Sequence, residues 1–310
     1  MPQVMNLVEY AKGLEPGLAK GVIEIYAKTS DILEVMPFKT VPGPYQYQLE
    51  GTLGGIAFRG VNSSYTPDTS IENPQVEPLF IAGGDADVDM FLLSLDATRR
   101  GRETAKKIKS QARVITNGVL KGDNTSSPTQ FDGLQRRIKS TGSQFFTNNS
   151  ASGGGALSLS MLDATIDQVQ SPTHIIMNRD LRTKFNAAIR NQTLSGNMRL
   201  DKDSFGRPQM TYNGLPILVG YEAGPDSKIL PFTEVATGGG GAVTSSIYVV
   251  NFSEGNVCGI QLAPPRVQDL GELQTAPVKR VRTEWYCGMV LENPYAAARL
   301  TSITNAAIVT

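Results

Sequence analysis

His174 is the only histidine in the chain, and Cys258 and Cys287 are the only cysteines. Acyl transfer through serine or cysteine needs a base beside the nucleophile. The one histidine falls in THIIMN, an apolar run that reads as a buried strand, where a packed histidine is the simpler reading. Both cysteines also fall in strand-like runs and read as packed thiols. One histidine and two cysteines cannot by themselves close a structural zinc site. Asp85-Ala-Asp87-Val-Asp89 imitates the start of a calcium loop, but Met90 stands where such a loop needs glycine and Asp96 where it needs glutamate. No glycine-rich phosphate loop ending in Lys-Ser or Lys-Thr occurs, and NGVLKGD is no substitute. The Gly238–Gly241 run has no helix signal after it and reads as a flexible loop. No constellation supports an enzyme, and no cofactor or metal is expected.

The chemistry that the sequence does concentrate is charge. Arg99, Arg100, Arg102, Lys106, Lys107, Lys109, Arg113 and Lys121 stand against a single acid, Glu103. They form either a solvated face paired with acidic neighbours or a surface that meets packaged nucleic acid. In the second case charge alone gives affinity without sequence choice. No aromatic residues interleave the cluster to stack on bases. The whole chain is neutral, with 29 basic and 29 acidic residues, so it is not a general nucleic-acid or membrane binder.

The cluster needs a rigid support, and the sequence supplies one. Ala105, Ile108, Ala112, Ile115 and Val119 step by three and four residues, one apolar stripe on a helix that ends near Gly118 or Gly122. Before it, Val88, Phe91, Leu92 and Leu95 have helical spacing behind Asp85 or Asp87 as a cap. After it, Phe131, Leu134 and Ile138 are spaced to pack from a short helix or turn. Residues 157–271 read as an α/β-like unit: helix LSLSMLDATIDQV, strand THIIMN, and a helix capped by Asn178. Two strands then flank Asn213-Gly214, GGGGAVTSS is a flexible loop, and strands IYVVNF and NVCGIQL follow. VKRVRTEWYCGMVLEN is a long strand, with Val281, Thr283, Trp285, Cys287, Met289 and Leu291 on one face. Arg280, Arg282, Glu284 and Glu292 share the other. Its expected partner lies near the basic helix, which makes residues 157–271 an insertion into a domain built from both sides. Asn293-Pro294 opens a short helix.

Residues 45–70, YQYQLEGTLGGIAFRGVNSSYTPDTS, pose a different problem. Tyr45, Tyr47 and Leu49 alternate with Gln46, Gln48 and Glu50, and a turn is expected at Gly54-Gly55 before Ile56-Ala57-Phe58-Arg59. Half of residues 40–78 going out and half returning gives a reach of roughly 55 Å at ~3.3 Å per residue. That exceeds the ~35 Å diameter expected of a domain of about 120 residues. A two-stranded ribbon is marginal alone in water, so it is either mobile or covered by another molecule.

Composition fits this picture. At 310 residues the chain has room for about two domains. Hydrophobic residues, at 40%, suffice for real cores, while 31 glycines favour loops and ribbons over a helical bundle. No apolar run is long enough for a transmembrane helix. The N-terminus, MPQVMNLVEYAKG, has no signal-peptide pattern, and two cysteines suit a reducing cytoplasm. Residues 1–30 read as a weakly helical arm, and DILEVMPF as a short apolar anchor.

The order of these parts resembles the major capsid proteins of tailed bacteriophages, with their α+β, HK97-like fold. The resemblance is carried by LEGTLGGIAFRGVNSSYTPDTS with IAGGDADVDMFLLSL, by FDGLQRRI, PTHIIMNRDLRTKF and YNGLPILVG, and by RTEWYCGMVLENPYAAARLTSI, and it covers nearly the whole chain. It implies an N-terminal arm at 1–39 reaching a neighbour and an extended loop at 40–82 lying across the adjacent subunit. It implies a peripheral domain from 83–156 and 272–310 with the basic helix as its spine, and an axial domain at 157–271. Tyr45, Tyr47, Leu49, Ile56, Phe58 and Arg59 would then be covered in trans. Arg99, Arg100, Arg102, Lys106, Lys107, Lys109 and Arg113 would face packaged double-stranded DNA.

The resemblance also implies hexamers and pentamers closing an icosahedral shell in the host cytoplasm, with a portal and decoration or cement proteins as further partners, and a place in the virion. Some relatives crosslink through a lysine in the extended loop. Residues 45–78 contain none, and Lys39 lies at the ribbon's base, so no such crosslink is expected. Some relatives carry a long N-terminal scaffolding segment; with only a short stretch before the ribbon, a separate scaffolding protein is expected. Two other readings exist. One is an encapsulin-like shell of the same fold around protein cargo. The other is a soluble α/β enzyme using the ribbon as a dimerisation arm.

Overall fold

The computed structural model describes residues 4–7, 18–52, 55–65, 71–190, 198–202, 208–220 and 228–309. In chain order the elements are β1 (Val4–Asn6), α1 (Leu18–Thr29), α2 (Asp31–Val35), β2 (Pro37–Thr40), β3 (Tyr45–Thr52) and β4 (Ile71–Glu77). Then come β5 (Phe80–Asp89), α3 (Met90–Leu95), α4 (Arg99–Lys121), α5 (Leu134–Arg137) and β6 (Phe145–Thr147). They are followed by α6 (Leu159–Asp167), β7 (His174–Ile176), α7 (Arg179–Ile189), β8 (Met198–Lys202), β9 (Pro208–Tyr212) and β10 (Leu215–Leu218). The chain closes with β11 (Glu234–Val235), β12 (Ala242–Val250), β13 (Val257–Gln261), β14 (Arg266–Glu272), β15 (Val278–Leu291), a single 3-10 turn (Pro294–Ala296) and β16 (Ala297–Ile303).

The long strand organises the first sheet. Its C-terminal half pairs with β13 and its N-terminal half with β14, both antiparallel, while β5 runs along the other edge from Val278↔Asp89 to Cys287↔Phe80. Outside β13 lie β2, parallel, and then β1. Val281, Thr283, Trp285, Cys287 and Met289 are buried in alternation, as the period of two dictates. The stripe on α4 seats there: Ile108, Ala112, Ile115 and Val119 share one core with Trp285, Cys287 and Met289. Gly118 lets the Phe131 ring close on the helix, since a Cβ there would come within 3.2 Å of it.

The second sheet runs β6-β16-β12-β7-β10-β9-β8, with β11 beside β12. One face, through Ile175, Ile217 and Val249, packs on Leu162 and Ile166 of α6 and Leu181 and Phe185 of α7. The other, through Ile176, Leu218, Tyr248 and Val250, joins the core of α4. Asn213 and Gly214 take positive φ, 53° and 81°, and join β9 to β10 in the turn expected of Asn-Gly. Asn178 Oδ1 caps α7 by accepting from Asp180 N at 2.7 Å. Asn293 Oδ1 accepts from Tyr295 N at 2.9 Å.

Several expectations need correction. The N-terminal segment is not a free arm: β1 pairs with β2, and Val22, Ile23 and Tyr26 of α1 are buried in the core, Tyr26 edge-on to Trp285 at 5.3 Å. Their spacing puts one apolar face against α4. Val88 belongs to β5 and not to a helix. The cap is Asp89, whose Oδ1 accepts from Phe91 N at 2.8 Å, and Phe91 and Leu95 on α3 are exposed. Asp85 and Asp87 are taken by strand pairing. Ala242–Ser246 is the start of β12, not loop. Thr244, Ser245 and Ser246 are buried because their hydroxyls bond to Glu234 O, Leu230 O and Glu234 Oε2.

The boundaries of the inserted unit also shift. Strand β13, and β14 up to its last residue, fall within 157–271 by number but lie in the first sheet, and β16 and β6 lie in the second. The chain changes sheet at the Ser253–Gly255 turn, because Val257, Cys258 and Ile260 are completely buried against β15 and β2.

Candidate interaction site

The ribbon is a two-stranded sheet of its own, β3 against β4, in register from Tyr45↔Glu77 to Thr52↔Ile71. The return strand is therefore Ile71–Glu77. Ile56, Ala57, Phe58 and Arg59 belong to the connection between the strands, and Gly54 of the expected turn lies outside the described residues. The register follows from the base, where Glu77 is fixed opposite Tyr45.

The strand alternation is visible in exposure: Tyr45, Tyr47 and Leu49 are half-buried, while Gln46 and Gln48 are exposed. The cover at the base comes from the same chain. Tyr45 and Tyr47 stack at 6.0 Å and, with Leu79, pack on Val41, Cys258, Ile260 and Val290, the outer face of the first sheet. Beyond Leu49 that support ends. On the connection, Ile56 and Phe58 are fully exposed, Val61 is 95% exposed and Tyr65 63%. Arg59 curls back, donating to Ser63 O at 2.9 Å and lying 5.3 Å from the Tyr65 ring. The six ribbon residues thus divide in two. Tyr45, Tyr47 and Leu49 anchor or flank the base, while Ile56, Phe58 and Arg59 sit on a tip where, among the described residues, Ile56 and Phe58 are left fully exposed.

Two anchors escaped the sequence reading. Arg137 on α5 grips both oxygens of Glu77, at 2.6 and 2.9 Å, and Lys39 Nζ donates to Tyr45 Oη at 2.6 Å. No local pattern marks such a pair, since its members are sixty positions apart in sequence. The one available signal was an acid, Glu77, beside Pro78 at the base of the return strand.

The basic helix carries less free charge than its composition suggests. Arg100 pairs with Asp269 on β14, Arg102 with Asp96, and Lys106 with Glu103 at 2.9 Å. Lys107 lies over Gly84. Arg99 and Lys109 are exposed, and Arg113 is half-buried. The seven cations therefore form a partly neutralised strip, in which Arg99 and Lys109 are exposed.

The remaining chemistry is as the residue types suggest. His174 lies on β7 against Phe252 at 5.7 Å, and burial pushes its pKa down to about 4, so it is neutral. Burial pushes both Cys258 and Cys287 up to about 12, and both are packed thiols. Asp85 and Asp87 hold arginines, and no group of three or more metal-ligating side chains occurs among the described residues. No helix among the described residues is long and apolar enough to cross a membrane.

No protein-family signature matches the chain, and no curated protein matches it by sequence. Solved structures do. The holo-SrpI encapsulin complex from Synechococcus elongatus matches with a TM-score of 0.66 at 14% identity, over 90% of this chain and 89% of that one. A structure from Mycobacterium phage Bobi matches with 0.60 at 13%, over 88% and 90%. The capsid of a native GTA particle matches with 0.59 at 14%, also over 88% and 90%. Across the two sheets, the buried helix α4 and the projecting ribbon, this chain has the HK97-like capsid fold.

Proposed function

We propose that this chain is the repeating subunit of a closed icosahedral shell, the major capsid protein of a tailed bacteriophage, and that it catalyses no reaction. The observation that carries this reading is the tip of the ribbon. Ile56, Phe58 and Val61 stand fully in water at the end of a ribbon whose base is anchored by buried contacts. Exposed apolar clusters mark interaction sites, and a second copy of the same chain supplies a partner at every position of a shell. Contacts of this kind are heterologous and close by rotation into rings of five and six. The resemblance in fold to capsid structures over most of both chains supports the same conclusion.

Double-stranded DNA is the proposed content, held by non-specific charge. Arg99 and Lys109 are exposed cations on α4, and Arg100, Arg102 and Lys106 contribute a weaker field because acidic neighbours offset them. A separate scaffolding protein, a portal and decoration proteins complete the proposed set of partners, with assembly in the host cytoplasm and the mature chain in the virion. A second reading is an encapsulin-like compartment. It is favoured by the TM-score of 0.66 to an encapsulin and differs in content, protein cargo instead of DNA.

Negative-stain electron microscopy of the purified chain, alone and with a candidate scaffold, tests the reading. Closed shells or rings of five and six support it, and particle content separates the phage from the compartment. A monodisperse monomer or dimer under both conditions overturns it and brings a soluble enzyme back to the front.

A further inference from the structure

The ribbon joins the body through two joints marked by proline. Pro42-Gly43-Pro44 precedes β3, and Pro78 follows β4. Proline has no N–H to donate, so backbone ladders hold these joints weakly and side chains must do it. Tyr45 and Glu77 are the first ribbon residues past the joints and stand opposite each other in the ladder. Each is held by a cation of the body. Lys39 Nζ donates to Tyr45 Oη at 2.6 Å and lies 3.9 Å from Glu292, just past β15. Arg137 donates to both Glu77 oxygens, to Met289 O on β15 at 2.9 Å, and to Asp132 O at 2.9 Å.

The Arg137 guanidinium therefore ties three parts of the chain to one plane: the ribbon, the long strand and the turn before α5. A planar fork can do this, whereas an ammonium cannot satisfy the same set of directions. The pair is largely covered, with side-chain exposures of 12% for Arg137 and 19% for Glu77, so water competes little for it. Two of its four acceptor atoms belong to Glu77, on the ribbon, and the other two, Met289 O and Asp132 O, belong to the body.

We propose that Arg137 and Lys39 are positioning residues that fix the direction in which the ribbon leaves the body, and with it the angle at which the tip meets a second copy of this chain. The consequence for assembly rests on the shell reading; the geometry does not. The ribbon is a lever. At ~3.3 Å per residue, β3 alone spans about 26 Å, so a swing of about 20° at the base moves its far end by about 9 Å. Close-packed interfaces do not absorb displacements of that size.

The test labels Gln48→Cys on the ribbon and Lys109→Cys on α4 with nitroxides. Both positions are exposed, while the native Cys258 and Cys287 are buried and stay unlabelled. Labelled chains are diluted with unlabelled ones so that only distances within one chain are read by pulsed electron resonance. The parent is expected to give one narrow distance distribution. Arg137→Lys and Glu77→Gln should broaden and shift it, and Lys39→Met should do so independently from the other strand. Micrographs of the same variants should show uniform closed shells giving way to open or mixed particles. Unchanged distributions in both Arg137→Lys and Lys39→Met overturn the proposal, whatever the shells do. If the parent itself forms no shells, the shell reading fails while the distance distributions still decide the positioning claim.

Discussion

Arg282 on β15 and Asp85 on β5 face each other in register and share two hydrogen bonds, of 2.8 and 2.9 Å. Two positions along, Arg280 and Asp87 repeat the arrangement at 2.7 and 2.7 Å. Cross-strand opposite charges of this kind help to fix register. Hydrogen bonds from the two arginines hold both carboxyls below the usual aspartate range. A depressed carboxyl contributes stability above its unfolded pKa, and that contribution is lost as pH falls through its folded value. The double variant Asp85→Asn, Asp87→Asn is therefore expected to be less stable than the parent at neutral pH and to converge on it as acidification carries the two carboxyls through their folded values, below the ordinary aspartate range. Thermal midpoints from neutral to acid pH, repeated at high salt, check it. Salt should shrink the difference, because the pairs are at the surface.

Gly259 sits opposite Phe38 across the parallel β13–β2 pair, and a Cβ at Gly259 would overlap the Phe38 ring. Phe38 in turn leans on Trp285 at 5.0 Å, so it has nowhere to move. Gly259→Ala is expected to destabilise the fold by about 1–3 kcal/mol, the range for overpacked cores. Denaturant unfolding measures it. A neutral result would mean that Phe38 has another rotamer open to it.

Phe58→Asp separates folding from assembly. The side chain touches nothing in its own chain, being fully exposed, so the thermal midpoint should not move. A charge at the tip should abolish closed particles in electron micrographs. Normal shells from this variant would sink the assignment of the tip as a contact between copies.

How much of this was legible depended on whether a residue's partner is periodic or singular. The stripe Ala105 to Val119 and the alternation Val281 to Met289 announce a buried helix and a buried strand, because each repeats the same environment several times. Asn213-Gly214 announces its turn, because the backbone there needs positive φ. The ribbon's existence was also legible, but its return strand was not. Register is set by one contact, Glu77 to Arg137, and a single contact has no period. The sheet change after Val250 was hidden for a related reason. Residues 247–250 of β12 and 257–260 of β13 are both short apolar runs, buried on both faces, and such runs look alike whichever sheet they enter. Charge counting at α4 could not separate a paired face from a free one, since the acids that offset Arg100 and Arg102 come from β14 and from the turn before the helix.

His174 and Asp31 set opposing pH dependences. Burial lowers His174 to about 4, below the ordinary value near 6.5. The unfolded chain then takes up the proton first, so this group's contribution is present above about 6.5 and is lost as pH falls towards 4, by up to about 3 kcal/mol. Asp31 does the reverse. Enclosure of its carboxyl raises it to about 6, despite the bond that Oδ2 accepts from Val219 N at 2.9 Å. The folded chain binds that proton more tightly, so its contribution is present at low pH and is lost as pH rises through about 6. Between about pH 6 and 4 the two slopes oppose each other, and their summed contribution should be almost flat. Removing one group should expose the other. His174→Gln is expected to gain stability on acidification over that interval, and Asp31→Asn to lose it. Denaturant midpoints at both ends check this, and parallel slopes in the two variants would show that these groups do not govern the balance.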